Sequence, residues 1–221
     1  MSGIKIRGTG RGVPSRIVTN EDLARRMDTT DEWIPSRTGI RQRRHCAEGE
    51  SNLTLCTEAG RRALECAGVS PAEIGVCIVA TLSPDNQVPA EACLVQRNLG
   101  LPEDTLCFDL NAACSGFVFG LHTMECLLAA SERKLGLVIG GEALSRVLNW
   151  EDRGTCILFG DGAGAVVVEW RPEWPSIQTV IGSRGDDELL TVPGVGKGVP
   201  SFVSMDGKKV FKFAVETVPA C

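Results

Sequence analysis

Four apolar runs, each of strand length or slightly more, limit what this chain can become: VCIVATL (Val76 to Leu82), LCFDL (Leu106 to Leu110), LGLVIGGEAL (Leu135 to Leu144) and CILFGDGAGAVVVEW (Cys156 to Trp170). Strands that are apolar on both sides belong in sheets whose two faces are covered. Helical patterns fill the intervals. Ser51 to Ala67 carries helical spacing through Leu53, Ala63 and Leu64 and stops at Gly68, a residue suited to a left-handed cap. SPAE at Ser70 to Glu73 is a capping box with Pro71 at the first helical position, so a short helix is expected there. AEACLVQRNLG closes a further helix at Gly100, and Cys114 to Arg133 reads as a long one. With IKIRG as an opening strand, the order predicts an α/β layered fold around a mostly parallel sheet. The last of the four runs reads as two short strands around a glycine-rich turn. RPEWPS (Arg171 to Ser176) is the best linker, and the stretch after it is too short for a second domain of equal size.

Composition narrows the function classes. With 221 residues, 43% hydrophobic and 23% charged, the chain can bury a core. A net charge of -5 argues against nucleic acid as a partner. Neither LGLVIGG nor AVVVEW is long enough to cross a membrane, so no membrane association is expected. The opening MSGIKIRGTGRG lacks the apolar core of a secretion signal, which points to the cytoplasm. The ten cysteines are then mostly small core residues. None forms a Cys-x-x-Cys pair and only two histidines are present, so no metal site is expected. The glycosylation acceptor pattern at Asn52 carries little weight without secretion.

Three glycine-rich stretches invite a nucleotide-binding reading. GTGRG does not open a helix, GDGAGA runs into β-branched residues, and GVGKG lacks the hydroxyl residue that follows the lysine of a phosphate loop. All three read as tight turns between strands. Cys114 in DLNAACSGF is different, because the strand before it ends near Leu110 and Ala112 and Ala113 turn the chain so that the cysteine begins a helix. Open amides and the macrodipole favour a thiolate at such a position, and the thiolate is the nucleophilic form. The residues alone leave two readings open, a nucleophile and a small core cysteine. Gly116 and Gly120 permit close backbone packing on that helix, and Phe117, Phe119 and Leu121 surround it with apolar bulk. No partner base is evident. His122 lies about 12 Å further along the same helix at 1.5 Å per residue, and His45 in RQRRHC reads as part of a solvated loop.

The motifs TTDEWIPSRTGIRQRR, DLNAACSGFVFGL, DRGTCILFGDGAGAVV and MDGKKVFKFAV, in this order and spacing, resemble the β-ketoacyl-acyl carrier protein synthase III family, condensing enzymes of the thiolase fold. The resemblance runs from Ile4 to Val218. It implies a thiolase-like layered fold, with residues 1–170 as a complete N-terminal half bearing the nucleophile and 171–221 as a C-terminal half only begun. It implies that an acyl group passes from acyl-coenzyme A to Cys114 and is then joined to malonyl-acyl carrier protein with loss of carbon dioxide. Trp33 and Arg153 match residues that hold the adenine of coenzyme A, and Arg37 one near its phosphates. Thr29, Gly207, Phe211 and Ala214 match the pantetheine tunnel, and Lys212 matches a carrier-protein contact that Lys208 and Lys209 would extend. Coenzyme A enters as substrate, and no cofactor is implied.

Family members are homodimers, and Val88 matches the position that reaches into the acyl pocket of the partner subunit; a valine there leaves room for primers longer or more branched than acetyl. The family's catalytic histidine, in a His-Gln-Ala-Asn stretch, and its later asparagine have no counterpart in these 221 residues. Condensation by them alone is expected to be close to nil, and a large apolar face is expected to lie open. A starter-unit acyltransferase of secondary metabolism, or a remnant that binds without catalysing, are the alternative readings.

Overall fold

The computed structural model describes residues 3–194 and 202–220. Most of the GVGKG stretch, at 195–198, lies outside the described residues, as do Met1, Ser2 and Cys221. In chain order the elements are β1 (Gly3–Gly12), β2 (Arg16–Thr19), α1 (Asn20–Ala24), α2 (Trp33–Thr38), β3 (Gln42–His45), α3 (Asn52–Ala67), β4 (Ile74–Ala80), α4 (Glu91–Leu99), β5 (Leu106–Leu110), α5 (Gly116–Ala130), β6 (Leu135–Ala143), β7 (Asp161–Arg171), β8 (Leu190–Thr191), β9 (Ser204–Met205) and α6 (Gly207–Thr217). The chain divides into two compact units. One holds residues up to 16, 44–143 and 161–178, and the other 17–43, 144–160 and 179 onward.

The first unit is built on a five-stranded sheet in the order β1-β7-β6-β4-β5. β4 runs parallel to both β5 and β6, whereas β7 is antiparallel to β6 and to β1. The sheet is therefore mixed rather than mostly parallel. The CILFGDGAGAVVVEW run explains the difference: it forms one eleven-residue strand from Asp161 and not two short ones, so the chain returns beside β6 without a crossover helix. SPAE gives a single 3-10 turn at Pro71–Glu73, with its capping box, before β4 begins.

Every residue of β4 is buried. The period of two sends Cys77 and Val79 toward α3 and α4, where they pack with Ala59, Ala63 and Val95, and sends Val76 and Ile78 toward α5, against Met124 and Leu128. Filling one such side chain's place contributes about 1.5–3 kcal/mol. Residues 113–130 are long and apolar enough to cross a membrane, a property that the sequence reading missed by weighing only strand runs. That helix lies with one side across β4 and β6, and 28% of residues 113–130 are buried.

GTGRG and GDGAGA are not turns. Gly8, Gly10 and Gly12 lie within β1, where an added Cβ would fall on the backbone of Ala63 and Ala67, of Ala59 and Ala63, and of Leu55 respectively. The glycine stripe lets α3 rest directly on the strand. In GDGAGA, Gly162 and Gly164 sit inside β7. α3 itself is capped at Ser51 by a capping box and ends at Gly68, whose φ of 64° is left-handed. Asn52, buried at the start of this helix, donates to Thr81 Oγ1 at 3.1 Å.

The second unit has its own core of Val18, Leu23, Ile34, Leu148, Cys156, Ile157 and Val203. Within it the buried Arg43 donates to Asn20 Oδ1 at 2.8 Å and to the Ile157 carbonyl at 2.9 Å. RQRRHC is thus no solvated loop. It forms β3 with alternating burial, and His45 is only 3% exposed. Arginines appear polar in sequence, but the alternation of a strand buries every second residue whatever its type; here the two terminal nitrogens of Arg43 find acceptors, while Nε has none among the described residues.

Candidate active site

Cys114 lies between β5 and α5, in a 3-10 turn of Ala113–Ser115. It therefore precedes the helix instead of beginning it, since α5 proper starts at Gly116. Asn111 Oδ1 accepts from the Ala113 amide at 3.4 Å, and the Ala112 carbonyl accepts from Ser115 at 3.1 Å. Between them Ala113 adopts φ 44°, and it is the sole non-glycine residue at positive φ among the described residues. Holding an alanine there costs on the order of 1–3 kcal/mol, and such strain gathers where a side chain must be presented in one direction. No side chain caps the first amides of α5. The Cys114 side chain is exposed, immediately before this uncapped helix start.

The other cysteines separate by burial. Burial pushes the thiols of Cys56, Cys93 and Cys156 up, and that of Cys46, with Asp161 beside it, up to about 12. Among the described residues only Cys66, Cys114 and Cys126 are exposed, and Cys66 and Cys126 sit on the regular helices α3 and α5. The core-cysteine reading does not hold for Cys114. His122, also exposed, lines an open cavity of about 330 Å³ with Glu125, Cys126, Ala129 and Ser176. None of the expected site residues lines it.

In the second unit, α2 carries Trp33 and Arg37 one turn apart. The Thr30 hydroxyl accepts from the Trp33 amide at 3.1 Å, and Gly39 ends the helix at φ 74°. The Arg37 guanidinium carbon lies 4.5 Å from the centroid of the Trp33 ring, and that of Arg153 lies 5.0 Å from it. Arg153 is held in turn by Asp28, donating to its carbonyl at 2.6 Å. Two cations on one indole make a site for a flat, electron-rich, anionic ligand. Thr29 Oγ1 is buried without a hydrogen-bond partner among the described residues, so a donor and acceptor is available beside Asp28.

α6 is capped by Asp206, which accepts from the Lys209 amide at 3.1 Å. The helix exposes Gly207, Phe211, Lys212 and Ala214; Phe211 is 72% exposed, and Lys212 reaches Glu216 at 3.8 Å. Val88 is 86% exposed in the segment before α4. Sequence reasoning missed α2, Asp28 and the acidic groups around α4, where Asp109 accepts from the amides of Glu91 and Ala92 at 2.7 and 2.8 Å. Pro35 hid α2, although proline is tolerated in a first helical turn. Among the described residues no three His, Cys, Asp or Glu side chains are grouped to hold a metal ion.

The layered α/β fold is that of the thiolase-like condensing enzymes, which are acyltransferases. A model of the 3-oxoacyl-[acyl-carrier-protein] synthase III family matches residues 108–185. The β-ketoacyl-[acyl-carrier-protein] synthase III of Clostridium acetobutylicum is 46% identical over 228 residues, covering 99% of this chain and 70% of its own. That of Neisseria meningitidis is 46% identical over 222 residues, covering 98% of this chain and 69% of its own. Among solved structures, 3-oxoacyl-[acyl-carrier-protein] synthase III from Aquifex aeolicus has a TM-score of 0.89 at 42% identity, covering 97% of this chain and 68% of that one. A priming β-ketosynthase from a polyketide biosynthetic pathway has a TM-score of 0.90 at 35% identity, covering 98% and 67%. The chain belongs to the β-ketoacyl-acyl carrier protein synthase III family, the transferases of fatty acid biosynthesis.

Proposed function

We propose that Cys114 accepts an acyl group from acyl-coenzyme A and passes it to the carbanion formed when malonyl-acyl carrier protein loses carbon dioxide. The observation that carries this reading is the strained turn at Ala113, directly before the exposed Cys114 and the uncapped start of α5. The sulfur attacks the thioester carbonyl, the amides stabilise the oxyanion, and coenzyme A leaves as its thiol. Trp33 and Arg153 hold the adenine, Arg37 meets the phosphates, and Thr29, Gly207, Phe211 and Ala214 line the path of the pantetheine arm. Lys212 meets the acidic carrier protein. Residues 1–170 form the half that bears the nucleophile and 171–221 the start of the second. The working form is a homodimer in which Val88 of one subunit limits the other's acyl pocket. A cytoplasmic setting suits nine described cysteines that are all free.

The test is transfer of a radiolabelled acyl group from acyl-coenzyme A to the protein. Stoichiometric, thioester-bound label supports the proposal; binding of coenzyme A without transfer defeats it and leaves a carrier-binding remnant. A second reading rests on the polyketide priming enzyme at 35% identity, and gives this chain a starter-unit role in secondary metabolism. Comparing the malonyl forms of a fatty-acid and a polyketide carrier protein as acceptors separates the two.

A further inference from the structure

The segment joining β4 to α4 contains no helix or strand, yet it is held from both ends. Glu91, the first residue of α4, turns its carboxyl back on the chain before it. Its Oε2 accepts from the Asp85 amide at 3.2 Å, which closes the loop 85–91 with Val88 at its midpoint. Both feet of that loop are tied down. Asp85 Oδ2 accepts from the Leu53 amide of α3 at 3.3 Å, and Asp109 on β5 accepts from the amides of Glu91 and Ala92 at 2.7 and 2.8 Å. Just upstream, Glu142 on β6 accepts from the Leu82 and Ser83 amides at 2.9 and 3.1 Å and from the Ser83 hydroxyl. The tip is different. Among the described residues, 86–89 make no hydrogen bond of their own, and Val88 stands 86% exposed.

A carboxyl is a costly group for this position. Glu91 is completely buried, and its Oε1 has no hydrogen-bond partner among the described residues. An apolar side chain would avoid that desolvation, but it would lack the acceptor that closes the loop. Groups that cost stability while fixing a local shape gather where the shape serves a function. We propose that Glu91 is a positioning residue: by closing the loop on Asp85 it sets how far Val88 projects, and so the longest primer that the acyl pocket admits. The inference rests on the reading that Val88 bounds that pocket in the partner subunit. An exposed tip residue can mark a boundary only if the loop beneath it does not give way, and the bond from the Asp85 amide to Glu91 supplies that resistance. Asp109 extends the same support to β5, the strand that runs on to the Cys114 turn, so the depth of the tip and the place of the nucleophile are referred to one strand.

Primer selectivity tests this. Rates of Cys114 acylation by acetyl- and decanoyl-coenzyme A are measured on one preparation of each variant, so that the folded fraction cancels from their ratio. Glu91→Met is similar in size but offers the Asp85 amide no acceptor, and it is expected to raise the decanoyl-to-acetyl ratio several-fold as the tip gives way. Glu91→Ala, which removes the acceptor without adding bulk, is expected to move the ratio in the same direction. Glu91→Gln keeps an oxygen for the Asp85 amide and is expected to return the ratio to that of the unaltered protein. Val88→Phe is the reference and is expected to lower it. A ratio unmoved in Glu91→Met and Glu91→Ala while Val88→Phe lowers it overturns the positioning role alone, and so does a rise that Glu91→Gln shares. A ratio indifferent to Val88→Phe removes the reading of Val88 and this inference with it, and absence of acylation in the unaltered protein removes the acyl-transfer reading that both rest on.

Discussion

The Arg153 guanidinium lies 5.0 Å from the centroid of the Trp33 indole, so the proposed adenine cradle is closed on itself. A flat base between these groups needs a contact distance of about 3.5–4 Å on each side, roughly 7–8 Å in all. Arg153 must therefore leave the ring, and with it the Asp28 carbonyl at 2.6 Å, when coenzyme A enters. Calorimetric titration with coenzyme A is expected to show Trp33→Ala weakening binding by roughly tenfold or more and Arg153→Ala by about 2–5-fold. Arg153→Lys is expected to behave like the alanine variant, because an ammonium has no plane to stack. Asp28→Asn is expected to change affinity by less than about twofold, since its carboxylate is fully exposed and the main-chain contact stays.

A second expectation concerns pH. Glu91 is completely buried; burial, with Asp85 and Asp109 nearby, pushes its carboxyl up to about 7, against the opposing bonds from the Asp85 amide and Asn52. Its pKa in the unfolded chain is the ordinary carboxylate value, so below about pH 4.5 Glu91 is protonated in both states and costs nothing. Between about 4.5 and 7 the unfolded chain ionises first, and stability falls as pH rises, by up to about 3 kcal/mol once pH exceeds 7. Glu91→Gln is expected to remove this loss. Urea denaturation at pH 5 and pH 8 measures it, and the gain should appear at pH 8 only.

Packing gives a third. Gly10→Ala places a methyl group on the Ala59 carbonyl and Ala63 amide of α3, and is expected to destabilise the protein by about 1–3 kcal/mol or more. Gly164→Ala, whose added carbon meets no atom within 4 Å, is the control and is expected to stay within about 0.5 kcal/mol. Thermal unfolding of the two variants decides whether the stripe in β1 serves helix contact.

These cases mark what could be read from the chain in advance. The start and stop of α3 at Ser51 and Gly68 were legible because caps are local chemistry. So were β5 and the end of α4 at Gly100. The direction of β7 was not, since pairing depends on partners far along the chain and an apolar run looks alike in either direction. GTGRG was misread because glycine serves turns and close helix contact equally, and only the presence of α3 tells which. Burial of Arg43 depends on acceptors supplied by Asn20 and Ile157, more than twenty and a hundred residues away respectively. In the candidate site, family motifs pointed to Cys114 and Trp33. Asp28 and the strain at Ala113 belong to no motif and needed coordinates.

The most direct measurement is where the acyl group settles. After incubation with radiolabelled acetyl-, isobutyryl- or hexanoyl-coenzyme A, peptide mapping is expected to find a hydroxylamine-labile label on Cys114, absent in Cys114→Ala. Given the small side chain at Val88, the longer and branched primers are expected to load as well as acetyl. Label on Cys66 or Cys126, or none at all, would contradict the account.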